Sequence, residues 1–377
     1  MDIKISSSCR FECTINLTVS MTSASLSKAR KIYVLGAGGI GCLLSAQLSK
    51  QFPVHFILRN KAKLQHLQTT NNNFSITQLF NNNKVFNYTV NDPVQANKIS
   101  DPYIDFLIVC VKTFDTVGAL TPLLSKITNQ TKILLVQNGM GVIDQLYSEV
   151  WPQVNQRPEL FQGVISHGVF QDAEKANTFD YNHAGFGNLK ICKLPRKLDG
   201  GSDSIFNDGL VDDEIIEVLA KSKDLDSQFL PYCDLLVYQV EKFMVNCCIN
   251  SITSILDCVN GELHDIESCY DLFRNVIEEA LDILLKNYPV LQESKLTKEI
   301  LQVDTLLKYT IECGTLINGK NSSSMRQDTL HLRNVEIDYI NGYVATLAEK
   351  MGLKADVNKT ITLLVKIRLQ INRNRAK

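Results

Sequence analysis

Six residues near the start of the chain constrain its fold more than any others. A short β-branched and apolar run, Lys31 to Leu35, leads straight into Gly36-Ala37-Gly38-Gly39-Ile40-Gly41, and a helical pattern follows from Cys42 to Leu48. A GxGxxG alone is a weak signal, and a glycine-rich turn without ligand would also produce one. A GxGxxG that closes a strand and opens a helix near the start of a domain predicts a dinucleotide-binding βα unit. Gly36 allows the tight turn, Gly38 lets a pyrophosphate approach backbone N–H groups, and Gly41 lets the helix pack closely.

The next strand, Pro53 to Leu58, ends where such folds place the adenosine ribose. NAD-binding chains usually carry Asp or Glu there. This one has Arg59, then Lys61 and Lys63, and no acidic residue between Cys13 and Asn91. Cations without a carboxylate suit the 2′-phosphate of NADP, although a solvated basic turn would look the same. Asp105 to Val111 reads as a buried parallel strand ending in Lys112-Thr113, and Lys132 to Val136 repeats the pattern before Gln137-Asn138-Gly139-Met140-Gly141. Lys112 and Asn138 thus stand at carboxyl ends of strands, where open α/β sheets bind ligands. Two asparagine triplets, Asn71 to Asn73 and Asn81 to Asn83, predict turns flanking short strands at 74–79 and 84–90. The runs 161–169 and 187–192 are read as later strands that finish the sheet, with His167 a structural histidine rather than an acid or base.

At 377 residues the chain suits two domains. Its net charge of −1 gives no reason to expect a nucleic acid or an anionic membrane as partner, and no apolar run approaches the ~20 residues of a membrane span. Eleven cysteines without a CxxC pair, several inside apolar segments, read as reduced thiols and not as metal ligands, so no metal is expected. That favours the cytoplasm. Residues 1–30 are Ser/Thr-rich and end in Lys28, Arg30 and Lys31, a faint transit-peptide signature that leaves mitochondria as the alternative, with Asp2 and Glu12 against it. This extension is expected to be disordered and non-catalytic, with Met21 a candidate start.

The divisions read from the sequence are 31–194 for the nucleotide-binding α/β domain, 195–213 for a polar linker and 214–377 for an all-α domain. Helical periodicity covers 214–260, 265–288, 294–312, 325–351 and 355–372. Within the first of these, Lys242, Asn246 and Asn250 recur at i, i+4 and i+8, within roughly 80° of one helix face. A snorkelling lysine and two satisfied amides would account for each singly; in register they predict a polar cavity for a small oxygen-rich substrate. Further on, Asn321 opens a dense polar stretch in which Ser322 to Ser324 make an N-cap region for a helix starting near Met325. Glu336 and Asp338 are read as lying inside that helical run.

These residues resemble ketopantoate reductase (2-dehydropantoate 2-reductase), and its fungal members in particular. The resemblance rests on the glycine loop, on Asn138-Gly-Met-Gly, on Lys242-x3-Asn246-x3-Asn250, on Asn260-Gly-Glu-Leu263, and on the motifs between Ser323 and Asp328 and between Glu336 and Gly342. It runs from about residue 31 to 370. It implies a Rossmann-like domain followed by a helical domain like the C-terminal part of 6-phosphogluconate dehydrogenase, and NADPH-dependent reduction of 2-dehydropantoate to (R)-pantoate by a monomer or homodimer. By the same resemblance Lys242 is the general acid, and Asn246, Asn250, Asn260 and Ser324 hold the substrate, with Asn138 and Asn321 on the same side. Glu336 supports the nicotinamide ribose. Arg59, Lys112, Asn138 and Gly168 match cofactor positions. The extension, the long 60–100 segment and the acidic linker depart from the compact bacterial pattern, which bears on compartment and assembly. Two rivals are a sister 2-oxo acid reductase on the same scaffold and a silent NADP-binding regulatory protein.

Overall fold

Four-residue runs of β-branched and large apolar side chains, too short to make helices and apolar on both faces, build the centre of the structure. A computed structural model describes residues 30–198 and 211–377, so residues 1–29 of the extension, Met21 among them, and the middle of the linker lie outside the described residues. Strands β1 (Ile32–Leu35), β2 (Val54–Ile57), β6 (Phe106–Val109), β7 (Lys132–Leu135) and β8 (Glu159–Ile165) run parallel. With β5 (Asn91–Val94), β11 (Leu189–Lys193) and β12 (Ser227–Phe229) they form one eight-stranded sheet in the order β12-β11-β8-β7-β6-β1-β2-β5. Strand order reverses between β1 and β6, which opens a crevice at their carboxyl ends. A second sheet, β4-β3-β10-β9, joins β3 (Asn73–Gln78), β4 (Lys84–Thr89), β9 (Gly168–Phe170) and β10 (Asp180–Gly185).

The asparagine triplets are turns, as predicted. Asn71, Asn72, Asn82 and Asn83 all take positive φ, which asparagine tolerates better than other side chains. The run 161–169, in contrast, is not one strand. It ends at Ile165, bends through Ser166 and His167, and resumes as β9 in the smaller sheet, where Gly168 and Gly185 pair with an added Cβ at Gly168 only 3.3 Å from the Gly185 nitrogen. Strand β12 is also a correction. It lies in a stretch read as helical but pairs in parallel with β11, and Asp226 at φ 43° turns the chain into it.

Helices α1 (Gly39–Leu48), α2 (Lys61–Thr69), α3 (Thr116–Leu120), α4 (Val142–Gln145) and α5 (Glu214–Ala220) accompany the sheet. The second unit holds α6 (Tyr232–Val245), α7 (Ser251–Leu256), α8 (Glu267–Asn287), α9 (Thr297–Ile300), α10 (Val303–Tyr309), α11 (Ser324–Leu330), α12 (Asn341–Lys350) and α13 (Asp356–Arg375). Alternation along β1 sorts the core. Ile32 and Val34 face a cluster under α1 and α5, while Tyr33 and Leu35 face a second cluster continuous with the helical unit through Val240, Phe243 and Val344. One apolar core therefore fixes the two units against each other. No described helix is long and apolar enough to cross a membrane.

Candidate active site

The glycine loop fits a dinucleotide. Gly36 has φ +100°, and a Cβ there would stand 2.5 Å from the Val111 nitrogen, so the loop crosses directly over the end of β6. A Cβ on Gly41 would lie 2.2 Å from the Gly36 carbonyl oxygen, whereas one on Gly38 would meet nothing within 4 Å. That open side faces the N-terminus of α1, which has no side-chain cap and no acidic residue in its first turn. Free N–H groups and the positive end of a helix dipole suit a phosphate. Ala37 and Ile40 complete the loop, and Gly39 backs onto Val169, next to Gly168.

Across the crevice stand the ionisable groups. Lys112 follows β6, and its Nζ lies 2.7 Å from Asp328 Oδ2 and 3.3 Å from Glu336 Oε2. Burial draws this ammonium's pKa down, but Glu336 and Asp328 together outweigh that and leave it above the ordinary lysine value. Glu336, 5% exposed, accepts through Oε1 from the Thr113 N–H at 2.9 Å, and the Thr113 hydroxyl lies 3.0 Å from the same oxygen and 2.7 Å from the Asn138 carbonyl. Asn138 Oδ1 in turn accepts from Lys242 Nζ at 3.0 Å, and Lys242 also donates to the Ile165 carbonyl at the end of β8, 2.5 Å away. Burial lowers the Lys242 pKa to about 8, with Glu336 pulling it partly back. Lys112, Glu336, Asn138 and Lys242 are thus brought together by the ends of three strands and two segments of the helical unit.

Glu336 is not inside a helix, however. The run 325–351 breaks after α11, where Leu332 takes φ +58° and Arg373 donates to its carbonyl at 3.0 Å, so Glu336 sits on a bend before α12. Nor is the Lys242 helix regular. It widens into a π-type turn over Asn246–Asn250, where Asn250 Nδ2 donates to Asn246 Oδ1 at 3.2 Å. Gly314, from a second π-type stretch, allows this widening: a Cβ there would stand 2.5 Å from Ile249 Cγ1. Such turns recur at functional sites because they re-aim side chains.

Helix α11 packs on that turn. Its N-cap is Ser323, whose Oγ accepts from the Arg326 N–H at 3.1 Å, and Ser324 follows exposed at the first helical position. Asn260 is 6% exposed, its N–H donates to the Asn321 carbonyl at 3.0 Å, and its Oδ1 is buried without a partner. The Asn321 side chain is exposed and bonds Asn318. Side-chain contacts therefore do not join Asn260, Asn321 or Ser324 to Lys242 directly.

Arg59 lies at the far end of the crevice, its side chain 87% exposed and 3.2 Å from Asp115 Oδ2. The surroundings are thus not free of carboxylates as the local sequence implied, because Asp115 arrives from the next βα connection. His167 is structural, as expected: buried, it lies 3.0 Å from both His183 Nε2 and the Leu225 carbonyl, and accepts from the Gly187 N–H. Thr113 and Asp328 went unassigned in the sequence. The one available hint was their place, beside Lys112 and inside the Ser323–Asp328 motif.

The family description "Ketopantoate reductase PanE/ApbA" matches residues 32–196, and its C-terminal counterpart matches residues 234–369. A Schizosaccharomyces pombe protein named "Probable 2-dehydropantoate 2-reductase" is 42% identical over 92% of this chain and 98% of its own length. The Saccharomyces cerevisiae "2-dehydropantoate 2-reductase" is 38% identical over 92% of this chain and 96% of its own. Among solved structures, a D-mandelate dehydrogenase with NADH and anilino(oxo)acetate shares the fold at a TM-score of 0.71 and 20% identity, covering 91% of this chain and 99% of its own. Matched across both halves by one family and nearly end to end by two fungal relatives, the chain belongs to the ketopantoate reductase family.

Proposed function

We propose that this chain reduces 2-dehydropantoate to (R)-pantoate with NADPH, on the way to pantothenate and coenzyme A. The observation that carries this reading is the Lys242 ammonium. It is held by Asn138 and the Ile165 carbonyl where the ends of β7 and β8 meet the helical unit. The glycine loop, Lys112 and Arg59 hold the cofactor, with Gly168 beside the loop. When bound, NADPH supplies the hydride that adds to the ketone carbon. Lys242 Nζ gives its proton to the ketone oxygen as negative charge develops there, so the carbonyl becomes a hydroxyl and the lysine is left neutral. Asn138 orients Nζ, and Glu336 favours its charged form. Asn246, Asn250, Asn260, Asn321 and Ser324 hold the substrate's hydroxyl and carboxylate with neutral donors, which add no competing charge.

Every described cysteine is free, which fits a reducing compartment such as the cytoplasm. The test is the loss of NADPH absorbance with purified protein and ketopantoate, beside NADH and a panel of other 2-oxo acids. Rapid oxidation with ketopantoate and NADPH is expected. Preference for another 2-oxo acid would make it a sister reductase, and binding of NADPH without any turnover would make it a regulatory protein.

A further inference from the structure

Asp328 is 4% exposed, and cations occupy both of its carboxylate oxygens. Oδ2 takes Lys112 at 2.7 Å, and Oδ1 takes Arg333 Nε at 2.9 Å. Lys112 leaves the end of β6 in the sheet, while Asp328 and Arg333 belong to the helical unit, so the short ion pair spans the crevice. A buried aspartate with two cations differs from a surface pair: removing one partner leaves the others uncompensated in a region of low dielectric.

The geometry shows what the pair controls. Lys112 carries a compact charge on a flexible four-carbon stem and is free to choose among carboxylates. It stands 2.7 Å from Asp328 and only 3.3 Å from Glu336, so the closer partner sets its place. Without Asp328, the remaining carboxylate for Lys112 is Glu336. Lys112 already touches Glu336 through Oε2, and drawn closer it pulls the carboxylate away from the Thr113 N–H and hydroxyl, which hold Oε1. Thr113 in turn holds the Asn138 carbonyl, and Asn138 holds Lys242. A continuous line of polar contacts therefore runs from Arg333 through Asp328, Lys112, Glu336, Thr113 and Asn138 to Lys242.

We propose that Asp328 is a positioning residue for the reduction: it anchors Lys112 across the crevice, so that Glu336 stays on Thr113 and Lys242 stays aligned on Asn138. The proposal rests on the reductase reading of the site. Asp328 acts through Lys112 and need touch neither cofactor nor substrate.

Asp328→Asn keeps the shape and removes the charge, and it is compared with wild type in the NADPH–ketopantoate assay, alone and combined with Lys112→Met. Alone it is expected to lower kcat/KM for NADPH about 10- to 100-fold, the scale of a small misplacement of reacting groups. The alkaline limb of the kcat/KM profile should also move to lower pH. Glu336 is the carboxylate bearing on Lys242, whereas Glu241 on the same helix faces Lys190, and a Glu336 shared with Lys112 favours the Lys242 ammonium less. On top of Lys112→Met, Asp328→Asn should cost less than about 3-fold, because residues acting through one another are not additive. Asp328→Glu should restore part of the loss. An unchanged kcat/KM and pH limb in Asp328→Asn, or a full multiplicative loss on Lys112→Met, overturns the proposal. Should Asp328→Asn fail to fold, Arg333→Gln frees one oxygen of Asp328 from a side chain that is 57% exposed. Lys112 should then be held on Asp328 at least as firmly, so the limb should stay or move to higher pH, and a limb moved to lower pH overturns the proposal equally. Absence of turnover by the wild type in the same assay breaks the reductase reading instead.

Discussion

An ammonium with its pKa drawn down to about 8 is still mostly charged at pH 7, and it gives up its proton more readily than an ordinary lysine. The proposed reaction uses the charged form, so kcat/KM for ketopantoate should hold up to about pH 8 and then fall toward tenfold per unit. A profile flat to pH 10 would remove Lys242 from the role of acid. Lys242→Ala should lower kcat by roughly 10²- to 10⁴-fold, as loss of a general acid does, with stopped-flow NADPH oxidation as the readout. The same burial has a stability cost with a definite sign. A lysine whose folded pKa lies below its unfolded value destabilises the fold fully below about pH 8, and the penalty fades as pH rises toward 10.5. Lys242→Met should therefore be more stable than wild type at pH 7 by about 1–3 kcal/mol, while being inactive. Equal or lower stability by urea titration would show that burial of this charge costs nothing. Lys242 and Asn138 stood out in the sequence by their settings, a lysine inside an apolar helix and an asparagine at a strand end, whereas Glu336 was picked out only by the family resemblance. Asp328 was not legible: its partner Lys112 is 216 positions away, and nothing local to either residue announces the pair.

Among the elements, the loop from Asn138 to Gly141 shows how close packing places chemistry. Gly139 has φ +81°, and a Cβ there would lie 2.3 Å from the Tyr339 carbonyl oxygen; Gly141 abuts the Tyr343 ring, 2.5 Å from its would-be Cβ. Tyr339 and Tyr343 also bond Gln145 and Asp144, so α4 and the loop before it are clamped by the segment that carries Glu336. Gly139→Ala combines a steric clash with a left-handed backbone and should cost about 1–3 kcal/mol. It should also lower kcat, because Asn138 moves with the loop. A melting curve and a kcat both within error of wild type would show that the clamp has slack. The central strands and the glycine loop were legible because apolar runs and glycine spacing are local signals. Strand β12 was not, since three residues are too few to show alternation and it exists by pairing with β11. The widened turn at Asn246–Asn250 was equally hidden, for it depends on the missing side chain of Gly314 on another segment.

At the scale of the whole molecule, the crevice has, on the proposed reading, a phosphate end and a reacting end. Arg59 marks the first, exposed and loosely held by Asp115, an arrangement that leaves its guanidinium available to a phosphate. A charge-assisted pair of this kind is worth about 1.5–3 kcal/mol, so Arg59→Ala should raise KM for NADPH about 10- to 100-fold. NADH, which lacks the 2′-phosphate, should change less than about 3-fold; equal losses with both cofactors would place the phosphate elsewhere. The reacting end is shared between the two units, and so is the sheet. Strand β12 arrives only after the linker, covers the edge of β11, and is extended by the Leu230 N–H donating to the Ile191 carbonyl at 2.8 Å. Dissection or domain exchange must respect this. A fragment ended in the polar linker would expose β11 as a bare, self-adhesive edge. The workable splice lies instead at Leu230 and Pro231, between β12 and α6.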